Sequence, residues 1–165
     1  MPVLIDGHNL LHAARAAGDP DRPVGKLMLM QALGQWAERT GERIQIVFDG
    51  PAPSPGLAQQ LGHAGVAMSF SGGGVSADTV ILDILQSDSA ARKLLVVSSD
   101  RAIVSAARRR RARPMGSDVF WAKLQRDLAR PPRSELEPEE KRRGLEPDAT
   151  DAWLREFGLG EGTAE

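Results

Sequence analysis

Four short apolar runs each end by delivering an aspartate, or a Ser/Gly loop that leads to one. They are Val3-Leu4-Ile5 to Asp6, Ile44 through Phe48 to Asp49, Val66 through Phe70 to Asp78, and Leu94 through Val97 to Asp100. If these runs are parallel strands of one sheet, their carboxylates emerge on a single rim, the edge where open α/β sheets place their chemistry. Crowded carboxylates repel one another, and a divalent cation is the usual counter-charge that holds them together. The pattern therefore predicts an α/β fold, built as three α/β/α layers around a mainly parallel central sheet, with an acidic site on one edge.

Between the runs the apolar period becomes helical. Gly7-His8-Asn9 reads as a turn, with Asn9 capping a short helix over Leu10–Ala17 that Gly18 stops. Lys26–Thr40 sets Leu27, Met30, Leu33 (or Gly34) and Ala37 on one face with Trp36 beside them, and Gly41 closes that helix. A helical turn is expected at Leu57–Leu61. Ser76 reads as the N-cap of a helix that carries Asp78 in its first turn and Val80, Ile81, Ile84 and Leu85 on its apolar face. Ser98-Ser99-Asp100 caps a helix over Arg101–Arg111 with Ile103, Val104 and Ala107 inside. A short edge strand near Arg113–Met115 and a last helix, Asp118–Ala129, complete five βα-type units.

Pro131-Pro132 then marks the expected end of one domain, residues 1–130. Residues 131–165 read as a charged tail, loosely ordered from Ser134 to Glu146. Within it Asp151–Phe157 forms a short docking helix presenting Trp153, Leu154 and Phe157 together. A length of 165 residues requires no second domain.

Composition narrows the function classes. The absence of cysteine removes disulfides, thiolate zinc sites and thiol nucleophiles. Met1-Pro2 leads straight into Val3-Leu4-Ile5-Asp6, with neither a basic leader nor an apolar span, so a soluble cytoplasmic protein is expected. With aromatics at 4% and no Tyr, binding on a row of stacked rings is disfavoured, and contact with nucleic acid must rest on charge. The charge is unevenly placed: residues 1–133 carry 17 Lys/Arg against 12 Asp/Glu, whereas residues 134–165 carry 4 against 10. A basic body favours a polyanionic partner.

Arg108-Arg109-Arg110-Arg111 with Arg113 places five positive charges at a helix C-terminus, more than the helix dipole calls for. They read as phosphate contacts at the end opposite the acidic rim, placed to grip a polyanion away from that rim. Arg101, beside Asp100, and Lys123 are the candidates for the local phosphate. His8 and His12 are four apart, but no third nitrogen or sulfur ligand accompanies them, so zinc is not expected. Gly72-Gly73-Gly74 lacks both the G-x-G-x-x-G spacing and the Lys-Ser/Thr of a phosphate loop, and reads as a mobile loop beside the site.

Hard Mg²⁺ or Mn²⁺ prefers carboxylate and water oxygens, and metal-assisted hydrolysis of a phosphodiester uses such ions to activate water and to neutralise transition-state charge. Asp6, Asp78 and Asp100 are the candidate ligands, Asp49 a direct or water-mediated one, and Asn9 an orienting group for Asp6 or a substrate phosphate. The ordered set Ile5-Asp6-Gly7-His8-Asn9-Leu10-Leu11, Val47-Phe48-Asp49-Gly50, Phe70-Ser71-Gly72-Gly73-Gly74-Val75-Ser76-Ala77-Asp78 and Val96-Val97-Ser98-Ser99-Asp100-Arg101-Ala102-Ile103 resembles the motifs of the YacP-like branch of NYN domains, in the PIN-like nuclease superfamily. The resemblance runs from residue 3 to about residue 128. It implies a PIN-like fold and a metal-dependent endoribonuclease acting on single-stranded RNA, with an association, in some relatives, with mRNA on ribosomes. By the same carry-over Asp6, Asp78 and Asp100 are the core metal ligands, supported by Asp49 and Asn9. Many relatives have a second acidic residue after the Ala-Asp pair, where this chain has Thr79. A non-catalytic RNA- or ribosome-binding module on the same fold is the alternative.

Overall fold

The apolar runs become strands Val3–Asp6 (β1), Ile44–Phe48 (β2), Val66–Phe70 (β3) and Leu95–Val97 (β4), joined by an edge strand, Arg113–Met115 (β5), in a computed structural model that describes residues 1–131. All pairings are parallel and the strand order is β3-β2-β1-β4-β5, with Val3 in register with Ile44 on one side and Leu95 on the other. The chain winds outward from β1 to β2 and β3, then crosses back to β4 and β5. Strand order therefore reverses between β1 and β4, and the crevice at their C-terminal ends is where open sheets bind ligands.

The described residues form six α-helices, Gly7–Ala16 (α1), Lys26–Thr40 (α2), Pro55–Leu61 (α3), Ala77–Ser87 (α4) and Arg101–Arg109 (α5) in the crossovers and Ser117–Ala129 (α6) after the last strand. The strand side chains alternate between two cores, as a period of two requires. Val3, Ile5, Ile44, Ile46, Phe48, Leu95 and Val97 pack with residues of α1, α2, α3 and α6, while Leu4, Val47 and Val96 pack with residues of α4 and α5. The result is the α/β/α sandwich expected from the sequence. Each large side chain buried there contributes roughly 1.5–3 kcal/mol.

One polar lock ties α2 to α6. Trp36 Nε1 donates to Asp127 Oδ2 at 2.9 Å and its ring meets Phe120 edge-on at 5.5 Å. Lys123 pairs with the same carboxylate and lies 5.2 Å from the Trp36 ring centre. The hydrogen bond from Lys123, then that from Trp36, holds the Asp127 carboxyl below the usual carboxylate range.

Several local expectations shift for identifiable reasons. The first helix starts at Gly7, not Leu10, because Asp6 itself is the N-cap and its side chain accepts from Asn9 N. Leu27 is 41% exposed, and Leu29 takes the buried place at that end of α2. In α5 the inner positions are Ile103, Ala106 and Ala107, with Val104 half-buried at the flank. That helix also stops two residues early: Arg110 caps it, Arg111 takes a left-handed φ of 59°, and Ala112 N returns to Ala107 O at 2.9 Å. This is a Schellman-type ending with arginine where glycine is the favoured residue. Arg111→Gly is expected to raise stability by about 1 kcal/mol, read as a higher midpoint in urea with an unchanged slope. The expected loose segment Ser134–Glu146 and the expected helix Asp151–Phe157 lie outside the described residues.

Candidate active site

Each acidic residue reaches the rim by a different local device. Asp6 closes β1 and turns inward, 2% exposed. Its Oδ1 accepts from Asn9 N at 3.0 Å, and its Oδ2 accepts from Asn9 Nδ2 and, at 3.0 Å, from Ser98 Oγ. Ser98 is fully buried, and its hydroxyl also accepts from Asp100 N at 3.0 Å. A continuous hydrogen-bonded chain, Asn9–Asp6–Ser98–Asp100, therefore crosses the crevice between β1 and β4. Asp100 completes it as the N-cap of α5, with Oδ1 accepting from Ala102 N at 2.7 Å and Ile103 N at 3.2 Å.

On the other side of β1, Asp49 follows β2 and its Oδ1 accepts from Ala77 N at 2.7 Å, which fastens the start of α4 to the end of β2. The loops that follow β2 and β3 are joined: Gly72 N donates to Gly50 O at 3.0 Å, and Gly50 N to Ser71 Oγ at 3.1 Å. Gly50 and Gly72 have φ of 93° and 80°, a conformation that glycine takes without steric cost. Ser76 caps α4 as expected, accepting from Thr79 N at 3.2 Å, and the Thr79 hydroxyl lies 3.0 Å from the Ser76 hydroxyl. Thr79 thus takes part in the helix cap.

Asp78 stands on the first turn of α4, exposed, with neither carboxylate oxygen hydrogen-bonded among the described residues. Partial desolvation, then the negative charges of Asp6, Asp100 and Asp49, hold its carboxyl above the usual carboxylate range, with His8 acting in the opposite sense. Asp78 thus senses the three other acids across a single rim. Oδ2 of Asp49 and Oδ2 of Asp100 are, like both oxygens of Asp78, without a hydrogen-bond partner among the described residues.

The rim is not a closed ligand shell. Among the described residues no three acidic or histidine side chains converge tightly enough to hold a metal ion between them. Asp6, expected to be a direct ligand, spends three of its roughly four acceptor sites on Asn9 and Ser98. The donor chemistry nevertheless fits Mg²⁺ or Mn²⁺, because Mg²⁺ keeps several of its waters and needs only one or two carboxylates plus substrate phosphate oxygens. Asp78 and Asp100 offer those free oxygens, with Asp49 beside them.

The arginines divide. Arg110 donates through Nε to Leu85 O at 2.9 Å and through Nη2 to Asp88 O at 2.8 Å, so it closes the C-terminal end of α4. Arg109 donates to Ser105 Oγ at 3.1 Å. Arg101, Arg108, Arg111 and Arg113 are exposed, and the left-handed turn at Arg111 separates the helical Arg101 and Arg108 from Arg113 on β5. Lys123 lies mid-helix on α6 and is engaged by Asp127 and Trp36, away from the acids. Ser98 was legible only as part of a helix cap; its sequence signal is a hydroxyl directly after a wholly apolar strand, a place where burial demands a partner.

No curated protein is significantly similar in sequence to this chain. The fold matches the crystal structure of Rae1 (YacP) from Bacillus subtilis with a TM-score of 0.60 at 20% identity, covering 96% of this chain and 90% of that one. It also matches a tryptophan-to-leucine mutant of that protein with a TM-score of 0.56 at 17% identity, covering 99% and 87%. No helix among the described residues is long and apolar enough to cross a membrane. The sequence pattern of the YacP-like NYN domain matches residues 3–156, so with its nuclease-like fold and ordered rim of aspartates the chain belongs to the YacP-like NYN domain family.

Proposed function

We propose that the chain is a metal-dependent endoribonuclease that cleaves single-stranded RNA at the crevice between β1 and β4. The observation that carries this is the meeting of Asp6, Asp49, Asp78 and Asp100 on one rim, close enough that the other three raise the Asp78 carboxyl. Asp78 and Asp100 would hold the Mg²⁺ or Mn²⁺ through their free oxygens. When bound, the ion supplies an activated water and neutralises charge on the phosphoryl oxygens.

The remaining work falls to the chain itself. Asn9 and Ser98 hold Asp6 in one rotamer, so its negative charge is fixed at the base of the crevice, and the same serine fixes the turn that presents Asp100. Asp49 positions Asp78 indirectly, by anchoring Ala77 one residue before it. Arg101, exposed on the first turn of α5, lies beside Asp100 and suits a substrate phosphate. The Gly72–Gly74 segment presents no side-chain bulk beside the site, which suits close approach of an RNA backbone.

Labelled single-stranded RNA incubated with Mn²⁺ or Mg²⁺, with EDTA as control and with or without ribosomes, tests the reading. Products with 5′-phosphate and 3′-hydroxyl ends are expected; RNA left intact in every arm would support the non-catalytic binding module instead. The inward turn of Asp6, with no three ligands converging among the described residues, favours that second reading. Because repulsion at the rim destabilises the apo protein, millimolar Mn²⁺ is also expected to raise the melting temperature and EDTA to reverse it. An unchanged melting curve counts against a formed site.

A further inference from the structure

Immediately beyond Asp100, away from the acids, a cavity of about 310 Å³ opens between α5 and the edge strand β5. Its walls are the half-buried Val104, Pro114 and Met115; its polar groups are Ser99 and Arg108. Ser98, whose hydroxyl is spent on Asp6 and Asp100, forms the wall shared with the crevice. The size lies at the low end of small-ligand sites, roughly 300–1,000 Å³.

The chemistry of the lining is one-sided. Among the described residues no carboxylate lines the cavity. Ser99 Oγ accepts from Ser117 N at 3.2 Å, which fixes its lone pair and leaves its proton to donate outward. The Arg108 guanidinium makes no hydrogen bond or ion pair among the described residues, unlike those of its chain neighbours Arg109 and Arg110. A forked cation and a hydroxyl donor facing apolar walls suit a flat group with apolar faces and two adjacent acceptors. A bare phosphate would gain nothing from Val104, Pro114 and Met115.

We propose that this cavity is a nucleobase subsite for the RNA strand and that Arg108 makes it select guanine. This deepens the ribonuclease reading and rests on it for the identity of the strand. Guanine offers O6 and N7 as a pair of acceptors to one guanidinium, whereas the adenine edge replaces one acceptor with an amino donor and the cytosine amino group opposes Arg108 directly. Bases of single-stranded RNA are free to be turned out and read on these edges. Arg101, Val104 and Arg108 share one helix face, seven residues or about 10 Å from first to last, so a strand held at the rim by Arg101 can lay its next base over Val104 toward Arg108.

The test is equilibrium binding of the full-length chain, with EDTA present so that hydrolysis plays no part, to short fluorescent single-stranded RNAs that differ only at one central base. The guanine oligonucleotide is expected to bind on the order of tenfold more tightly than the cytosine one. Arg108→Lys keeps the charge but loses the fork and is expected to remove most of that preference while retaining most of the overall affinity. Matched melting temperatures verify that the variant is folded. Equal affinity for all four bases, no measurable affinity for any, or a preference that survives Arg108→Lys overturns the subsite. With Mn²⁺ added, cuts should fall at a fixed offset from guanine. Guanine-selective binding without any cutting would sink the hydrolytic reading and leave the subsite standing.

Discussion

Asp78→Asn is expected to lower the rate of RNA cleavage by at least about a hundredfold, the scale on which removing one electrostatic group from a reacting centre is felt. The same change is expected to leave the fold intact. The Asp78 carboxylate makes no hydrogen bond among the described residues, and the cap of α4 comes from Ser76. The carboxyl is held above its usual range by desolvation and by Asp6, Asp100 and Asp49, which means that its ionised form is disfavoured in the folded state. For an acid shifted upward, the folded protein binds the proton more tightly than the unfolded chain. The stabilisation is complete below the unfolded value of 3.8 and is lost as pH rises through the raised folded value. The melting temperature of the metal-free wild type should therefore fall across that window relative to that of Asp78→Asn.

Asp100→Asn provides the companion measurement. Asparagine caps helices about as well as aspartate, so α5 retains its first turn while the rim loses a charge. Loss of cleavage in both variants with unchanged far-UV circular dichroism is the expected result. Wild-type rates in both, with Mn²⁺ present, would leave the binding module as the surviving reading.

How much of this was legible in the sequence depends on what each residue contacts. The sheet was readable because β1 and β4 are buried on both faces and β2 nearly so, broken only at the half-buried Gln45, and such strands announce themselves as apolar runs. The rim was readable because four such runs end at or near aspartate. What stayed hidden was the division of labour among the acids. Whether Asp6 faces a cation or is absorbed by Asn9 and Ser98 depends on the proximity of β1 and β4, with Asp6 and Ser98 lying 92 residues apart in the chain. The roles within the arginine run stayed hidden for a similar reason. Its separation into structural Arg110 and outward Arg108 depends on the carbonyls of Leu85 and Asp88 lying beside the end of α5. Periodicity also assigned Leu27 to the core, because position on a helical wheel cannot tell which flank of an amphipathic stripe the sheet will cover.

Gly7→Ala is expected to destabilise the protein by about 2–3 kcal/mol and to reduce cleavage with it. Gly7 is the first residue of α1 and follows Asp6 directly, so the helix starts hard against the end of β2. A Cβ placed there would lie 2.5 Å from Phe48 Cδ1 and 2.8 Å from the Val47 carbonyl oxygen. The ring cannot simply swing away, since Phe48 is 2% exposed and stacked on Phe70 at 5.8 Å. The carbonyl is backbone inside a sheet. Relief must come from moving α1, and α1 carries Asn9, whose two nitrogens fix the Asp6 carboxylate. Gly56→Ala is the matched control: nothing lies within 4 Å of the added carbon, the site is helical, and a gain of up to about 1 kcal/mol is expected from helix propensity alone. Urea denaturation of the two variants measures both signs. Equal stability for Gly7→Ala and wild type would mean that α1 does not start where Asp6 needs it to, and the inward turn of that carboxylate would have to be abandoned.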